Sequence, residues 1–417
     1  MKILHLLPYS PVPQNFGGAI RIYQLLKRMS EKHEVTVLSY GSPQDDENIR
    51  RSFYRQVKEF HVVPHPSAYL TRRLVQCYSL FTNRSFLRVS EYGEPMQRAI
   101  DKLCASNDFD IVQTEFTTLG CFRLDTDAIT IVDAHNVEYD NFRRMAQNTL
   151  SPIRKFYYNQ QYIKIRREEI DTCRKHDAIF VTSAMDKACF DRDIPSVPKY
   201  IIPNGVDTGY FQPFTSPPEP HSLVFTGMMA YVPNYDGMLY FLDNIFPLIQ
   251  REVPDVKIYI VGSRPPRKLM NRASENIVIT GFVEDVRPYV SRASVYVVPL
   301  RMGGGTRLKV LEAMAMKKPI VTTSIGCEGI DVGHNESVLI ADDPQDFAEQ
   351  VIQLFRTSAL THTLVRNGYD LVRTRYDWGI IGDQVDAAYQ SLIKLSTSSD
   401  RPRKRAFAMD LTTTVTP

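Results

Sequence analysis

The chain has 417 residues, enough for two or three domains that each bury a core of their own. Its 50 basic and 47 acidic residues leave a net charge of +3, and 43% hydrophobic with 23% charged residues is an ordinary globular balance, which argues against disorder, a coiled coil and a bulk electrostatic grip on nucleic acid. The six cysteines, Cys77, Cys104, Cys121, Cys173, Cys189 and Cys327, stand far apart with no C-x-x-C pair, which fits a reducing cytoplasm.

From the N-terminus, MKILHLL reads as a strand, because His5 and the prolines at 8, 11 and 13 interrupt any signal-peptide core. Nowhere does an uncharged apolar stretch approach the roughly 18 residues of a membrane span, so any membrane contact is expected to be peripheral. Short apolar runs then alternate with helix-length amphipathic stretches, the pattern of parallel strands joined by crossover helices. A first series of strands is expected at Lys2 to Leu7, Glu34 to Ser39, Glu59 to Val63, Asp110 to Thr114, Ile129 to Asp133, Ala178 to Thr182 and Tyr200 to Pro203. A second runs through Leu223 to Thr226, Lys257 to Val261, Ile277 to Thr280, Val295 to Pro299, Ile320 to Thr323 and Val338 to Ala341. Between them, residues 203 to 222 hold five prolines and two glycines and read as a linker.

Right-handed crossovers make each series a doubly wound α/β domain, which binds ligands at the carboxyl ends of its strands. The expected organisation is 1–203 and 204–377, a helix over 378–395 that packs on something through its apolar stripe, and a disordered tail over 396–417 that lacks an apolar period.

Two loops are suited to phosphate. Gly17 and Gly18 precede a helix and leave amides at its N-terminus, an anion site in one reading and a plain turn in the other. The second loop follows a strand: VVPLRMGGGTRLKVLEAMA brings Gly303, Gly304 and Gly305, then Thr306 as the expected helix N-cap, then Arg307 and Lys309, a cradle for two phosphates. At about 100° per residue, Lys309 and Glu312 share a helix face and Arg307 points off it. A carboxylate there suits a ribose diol, although a surface Lys–Glu pair beside a Gly-rich turn has the same spacing. Neither loop is a G-x-G-x-x-G dinucleotide site or a Walker A loop.

With DAHNVEYD at 133 to 140, IPNGVDTGYF at 202 to 211, FTGMMAYVPNYDG at 225 to 237 and the Trp378 helix, these loops make the chain resemble a retaining GT-B glycosyltransferase of family four, the group 1 nucleotide-sugar transferases, of the type that builds bacterial surface polysaccharide. The resemblance implies two facing Rossmann-like domains with a ligand cleft between them. It puts the Gly17 and Gly18 amides at the donor diphosphate, His135 at the donor sugar, Glu312 on the ribose, Phe282 and Val283 near the base, and PNGVD at the hinge, with the terminal helix crossing back to the first domain. It implies no cofactor and no metal, the nucleoside diphosphate sugar being a substrate. Without the resemblance, His135 reads as a loop or helix-capping residue after a strand.

Two positions depart from the family pattern. Gly304 stands where many members carry a sugar-binding Glu, and Met228 with Tyr235 or Asp236 stands where many carry Arg and Lys, so Arg307 and Lys309 are the expected phosphate cations. Asp-x-Asp at 108/110, 125/127 and 191/193 invites a metal-dependent reading, but none follows a strand as that chemistry requires. His61 and His65 are separated by Pro64 and read as a strand end, not a zinc pair. Residues 60 to 90 contain no acid, four arginines (72, 73, 84, 88) and aromatics at 69, 78, 81 and 86, which is either a face for anionic lipid or ordinary helix packing. The helix over Ser151 to Lys175 is expected to be solvated, with Glu168, Glu169 and Asp171 in ion pairs.

The expected protein is thus a cytoplasmic enzyme, peripheral on the inner face of the cytoplasmic membrane, that moves a sugar from a nucleoside diphosphate to a saccharide or lipid-linked acceptor without nucleic acid. A catalytically silent GT-B subunit of a polysaccharide assembly complex, and a nucleotide-sugar epimerase on the same fold, are the alternatives.

Overall fold

Every expected strand is present, with ends shifted by at most two residues, and together they form two wholly parallel sheets. The computed structural model describes residues 1–398 except 54–55, 67–71, 150 and 215–216, with only the backbone of 72, 397 and 398. In the first sheet β1 (Lys2–Leu7), β2 (Glu34–Tyr40), β3 (Glu59–Val63), β4 (Ile111–Glu115), β5 (Ile129–Ala134), β6 (Ala178–Val181) and β7 (Lys199–Ile201) lie in the order β3-β2-β1-β4-β5-β6-β7. The second comprises β8 (Ser222–Thr226), β9 (Lys257–Val261), β10 (Ile277–Gly281), β11 (Val295–Val298), β12 (Ile320–Thr322) and β13 (Leu339–Ile340), in the order β10-β9-β8-β11-β12-β13. Helices cover both faces, which is why the strands read as near-continuous apolar runs. In each sheet the strand order reverses once, between β1 and β4 and between β8 and β11, and the crevice at such a switch point is where doubly wound sheets bind ligands.

The chain passes between the halves twice, and both passages meet at one place. Val206 forms a parallel bridge with Asp377, its amide donating to Tyr376 O at 2.8 Å and its carbonyl accepting from the Trp378 amide at 3.3 Å. Gly205 allows this approach: a methyl group there would lie 2.6 Å from Ile381 Cδ1 and 2.8 Å from Tyr376 O. The terminal helix, Trp378–Ser398, then buries Trp378, Ile381, Val385, Tyr389 and Leu392 in the core of the first half, against the Gly17–Ser30 helix. It runs three residues beyond the expected 395, so 396–398 are helix, and the rest of the expected tail, 399–417, lies outside the described residues.

Two expectations about surfaces need correction. The Pro152–Lys175 helix packs along the Glu138–Asn148 helix, and Glu169 is buried, accepting from Thr117 Oγ1 at 2.8 Å and from the Tyr139 amide at 3.1 Å. Burial, with the neighbouring Glu138 charge, raises its carboxyl to about 8. Glu168 accepts from the Ser85 amide at 2.9 Å. These carboxylates satisfy backbone donors at helix starts and are not solvated ion pairs. Within 60–90, Phe86 is buried against Phe142 and cannot belong to an exposed aromatic face, whereas Tyr78 and Phe81 are exposed; Tyr69 lies outside the described residues, as does the side chain of Arg72. Among the described residues no helix is long and apolar enough to cross a membrane.

Candidate active site

At the carboxyl ends of β1, β4 and β5 the parallel register sets His5 beside Gln113, and Glu115 beside Asp133. All four are fully buried, with His135, the residue after β5, nearly so. Glu115 lies between two imidazoles, its Oε2 2.5 Å from His135 Nε2 and its Oε1 on His5 Nε2. Burial alone would raise this carboxyl, but the facing His5 and the His135 bond hold it well below the usual carboxylate range. Asp133 receives a bidentate grip from Arg21 (Nη2 to Oδ1 3.0 Å, Nε to Oδ2 3.1 Å), whose Nη1 reaches Pro203 O at 3.0 Å and Asn204 Oδ1 at 3.1 Å, at the start of the linker. Phe116, in the left-handed region at φ 63°, lays its ring against His135 with centroids 3.9 Å apart.

Gly17 opens the helix Gly17–Ser30, whose first turn has neither a side-chain cap nor an acidic residue, so its amides and the positive end of its dipole are uncompensated. Gly18 is required by packing. A methyl group there would sit 2.2 Å from Tyr9 Oη and 3.2 Å from Phe116 Cζ.

In the second half, Gly303 (φ 120°) and Gly305 (φ 76°) turn the chain after β11. The helix begins at Leu308 and not after Thr306: Arg307 occupies the cap position at φ −84° and ψ 86°, and the buried Thr306 hydroxyl has no partner among the described residues. The cause is Arg307, which folds back so that Nη1 donates to Gly304 O at 2.6 Å and Nε to Ile325 O at 3.3 Å, while its buried Nη2 has no partner among the described residues. Lys309 and Glu312 do share a half-buried face. Lys309 Nζ lies 3.8 Å from the Phe225 ring centroid and donates to Asn234 Oδ1 at 2.8 Å. Burial and the Arg307 charge push the ammonium down to about 7, against the pull of Glu312. Burial raises Glu312 to about 7, opposed by Lys309, and the carboxylate has no hydrogen-bond partner among the described residues.

The two glycine loops face each other. A methyl group on Gly17 would touch Leu308 Cδ1 at 3.5 Å, one on Gly304 would meet Asn141 Oδ1 at 2.3 Å, and one on Gly305 would meet Asn136 Oδ1 at 2.6 Å. Beside them a cavity between the halves is lined by Asn136, Asn141 and Arg144 on one side and Gly304, Gly305 and Thr306 on the other, and Arg144 closes it with a 2.7 Å ion pair to Glu328. His135, both glycine loops, Arg307, Lys309 and Glu312 thus belong to the facing ends of the two sheets. Phe282 and Val283 follow β10, which β9 and β8 separate from β11, with Phe282 76% exposed and Gly281 before it at φ 72°.

Residues 17–210 match the family described as Glycosyltransferase Family 4, and residues 220–357 match Glycosyl transferases group 1. The chain belongs to the group 1, family four glycosyltransferases. It is 23% identical over 390 residues to a protein of Klebsiella pneumoniae described as "Uncharacterized 44.6 kDa protein in cps region", covering 90% of this chain and 96% of that one. It is also 23% identical over 238 residues to the lipopolysaccharide core biosynthesis mannosyltransferase LpcC of Rhizobium leguminosarum bv. viciae, covering 53% of this chain and 66% of that one. Among solved structures, Anabaena Alr3699/HepE in complex with UDP superposes with a TM-score of 0.67 at 14% identity, over 94% of this chain and all of that one. The two parallel-sheet halves are the GT-B fold of glycosyltransferases.

Of the two departures from the glycosyltransferase pattern, the one at Gly304 has a local cause. At Gly304 any side chain would strike Asn141. Met228 is exposed, and Asp236 is engaged by Arg301 at 2.8 Å, so neither position offers a cation. Glu115, Asp133 and His135 bring ligand atoms within 4.8 Å of one another, the spacing of a metal site. Their donor set does not suit one, because Arg21 occupies both oxygens of Asp133, and His5 with Gln113 occupies Oε1 of Glu115. Sequence reasoning missed Glu115, His5, Arg21, Asn136, Asn141 and Asn234. Their signal was polarity within apolar strands, His5 in KILHLL and Gln113 to Glu115 in IVQTE, and it becomes legible only once strand neighbours are known.

Proposed function

We propose that this glycosyltransferase transfers a sugar from a nucleoside diphosphate with retention of anomeric configuration and without a metal ion, to a saccharide or lipid-linked acceptor in polysaccharide or glycoconjugate biosynthesis. The observation that carries the reading is the opposition of two uncompensated helix or loop N-termini, at Gly17 and at Gly303 to Leu308, which offers a diphosphate amides from both halves. Glu312 takes the ribose diol, Phe282 and Val283 flank the base, and His135 meets the donor sugar. Arg307 and Lys309 stabilise the charge that develops on the leaving diphosphate, which takes the acceptor proton. The UDP in the HepE structure and the surface-glycan role named for LpcC point the same way.

The silent-subunit reading drew on Gly304, and the Asn141 contact accounts for that glycine without loss of activity. Contact with the inner face of the cytoplasmic membrane is part of the proposal. Leu74, Tyr78 and Phe81 are exposed near Arg73 and Arg84, and the adjoining helix adds exposed Ile153, Phe156 and Ile163, the two elements being joined by Lys164 Nζ on Ser79 O at 2.6 Å. The test offers a panel of nucleotide sugars without acceptor, in excess chelator, and follows diphosphate release and the anomer first formed. Release of the α-sugar from an α-linked donor supports the reading. Absence of release from every donor, dependence on added Mn²⁺ or Mg²⁺, or the inverted anomer overturns it.

A further inference from the structure

We infer that Glu115 is the positioning residue for His135, holding Nε2 so that Nδ1 is the atom presented to the donor sugar, and that His5, Gln113 and Tyr389 fix Glu115 in turn. This rests on the reading of His135 as a donor-sugar contact. A carboxylate only accepts, so the His135 nitrogen facing Glu115 Oε2 at 2.5 Å carries a proton. Nδ1 has no hydrogen-bond partner among the described residues. The ring has little freedom left, because Glu115 holds one edge and Phe116 covers a face at 3.9 Å. Phe116 is the residue after Glu115, and its backbone at φ 63° is what turns its ring onto the imidazole.

Glu115 is itself braced on all sides. His5 Nε2 and Gln113 Nε2, the latter at 2.8 Å, both meet Oε1, and Gln113 Oε1 accepts from the hydroxyl of Tyr389. That tyrosine belongs to the terminal helix, so the last described element of the chain supports the site through a line of buried polar groups, Tyr389, Gln113, Glu115 and His135. A buried carboxylate that served only to neutralise charge would need one partner, and Asp133 has its own in Arg21. Sharing one carboxylate between two imidazoles and an amide restricts its position as well as its charge.

The test uses the full chain. Ring ¹⁵N spectra of the ligand-free protein, with the His135 signal assigned by its loss in His135→Gln, are expected to show Nε2 protonated, with that proton shifted far downfield and moving upfield in Glu115→Gln. Glu115→Gln is expected to lower hydrolysis of whichever of UDP-glucose and GDP-mannose the parent uses by roughly 10- to 100-fold, the worth of a hydrogen bond to a charged group. Affinity for UDP or GDP alone, which lacks the sugar, should stay within about twofold, and that retention also reports that the variant folds. Tyr389→Phe is the milder variant, and a smaller loss of turnover at unchanged diphosphate affinity is expected. A bare Nε2 in the parent spectrum, or sugar and diphosphate affinities lost in equal proportion, overturns the positioning role. So does full turnover by Glu115→Gln where His135→Gln is impaired. If His135→Gln itself turns over normally, the sugar-contact reading falls instead, while the spectrum still judges the Glu115 pairing.

Discussion

Glu312 and Lys309, on one helix face, make nucleotide binding depend on pH in two opposite ways. With Glu312 raised to about 7, about a tenth of it is ionised at pH 6 and about nine-tenths at pH 8. A nucleoside carries the ribose but no phosphate, so its affinity should rise with pH over this interval, by up to roughly tenfold if the protonated acid contributes nothing. Lys309, pushed down to about 7, loses its charge over the same interval. A nucleoside diphosphate needs both groups charged, and its affinity should therefore pass through a maximum near pH 7. Glu312→Gln replaces a charged acceptor by a neutral one, a difference of about 1 to 1.5 kcal/mol, or roughly 5- to 12-fold at pH 8, and flattens the nucleoside profile. The assay is titration of uridine or guanosine, and of UDP or GDP, at pH 6, 7 and 8. A nucleoside profile that is flat in the parent, or equally steep in Glu312→Gln, refutes the ribose assignment.

Arg307→Ala and Lys309→Ala should each lower turnover by about 10² to 10³ and change donor KM less, and steady-state kinetics with both within about threefold of the parent would remove them as charge-stabilising groups. Gly18→Ala drives a methyl group into Tyr9 Oη, 2.2 Å away, and should cost about 1–3 kcal/mol in denaturant unfolding. Because that hydroxyl is buried with no partner among the described residues, Tyr9→Phe alone should be neutral or stabilising and should rescue much of the Gly18→Ala loss; a loss unchanged in the double variant would show that the clash lies elsewhere. Sedimentation with anionic vesicles should weaken as salt rises, exposed charge being screened over about 10 Å at 0.1 M, and should be lost when Arg72, Arg73, Arg84 and Arg88 become Gln. Vesicle binding retained by that variant would make the segment a packing surface.

Most of the fold was legible because a parallel strand covered on both faces has to be a short apolar run, and the chain contains thirteen of them at crossover spacing. The glycine loops were legible for a related reason, since a left-handed turn and a bare amide at a helix start both favour glycine. The helix start after the second loop was misplaced by one residue, because Thr306 has the composition of a cap while Arg307 has the contacts that decide the conformation. Glu169 has the local charge pattern of a solvated helix, and the acid-free segment around Phe86 reads equally as a lipid face or as packing; the burial of both residues comes from helices that pack at long sequence separation. The His135 environment was the least accessible. His5, Glu115 and His135 are separated by up to 130 residues in sequence, and nothing short of the β1-β4-β5 order makes them neighbours.

The meeting of both inter-domain passages at Val206 and Asp377 bears on how the cleft opens. Two tethers at separate places would hold the halves at two points and forbid rotation about most axes, whereas tethers fused at one backbone bridge leave a single pivot. Displacement then grows in proportion to distance from that pivot. Contacts near it, such as Arg21 with Asn204, change little when the jaws part, while those farthest from it separate most. The mouth of the cleft can therefore admit a bulky donor through a small angular change, with the buried machinery around His135 and its covering terminal helix riding as one piece with the first half.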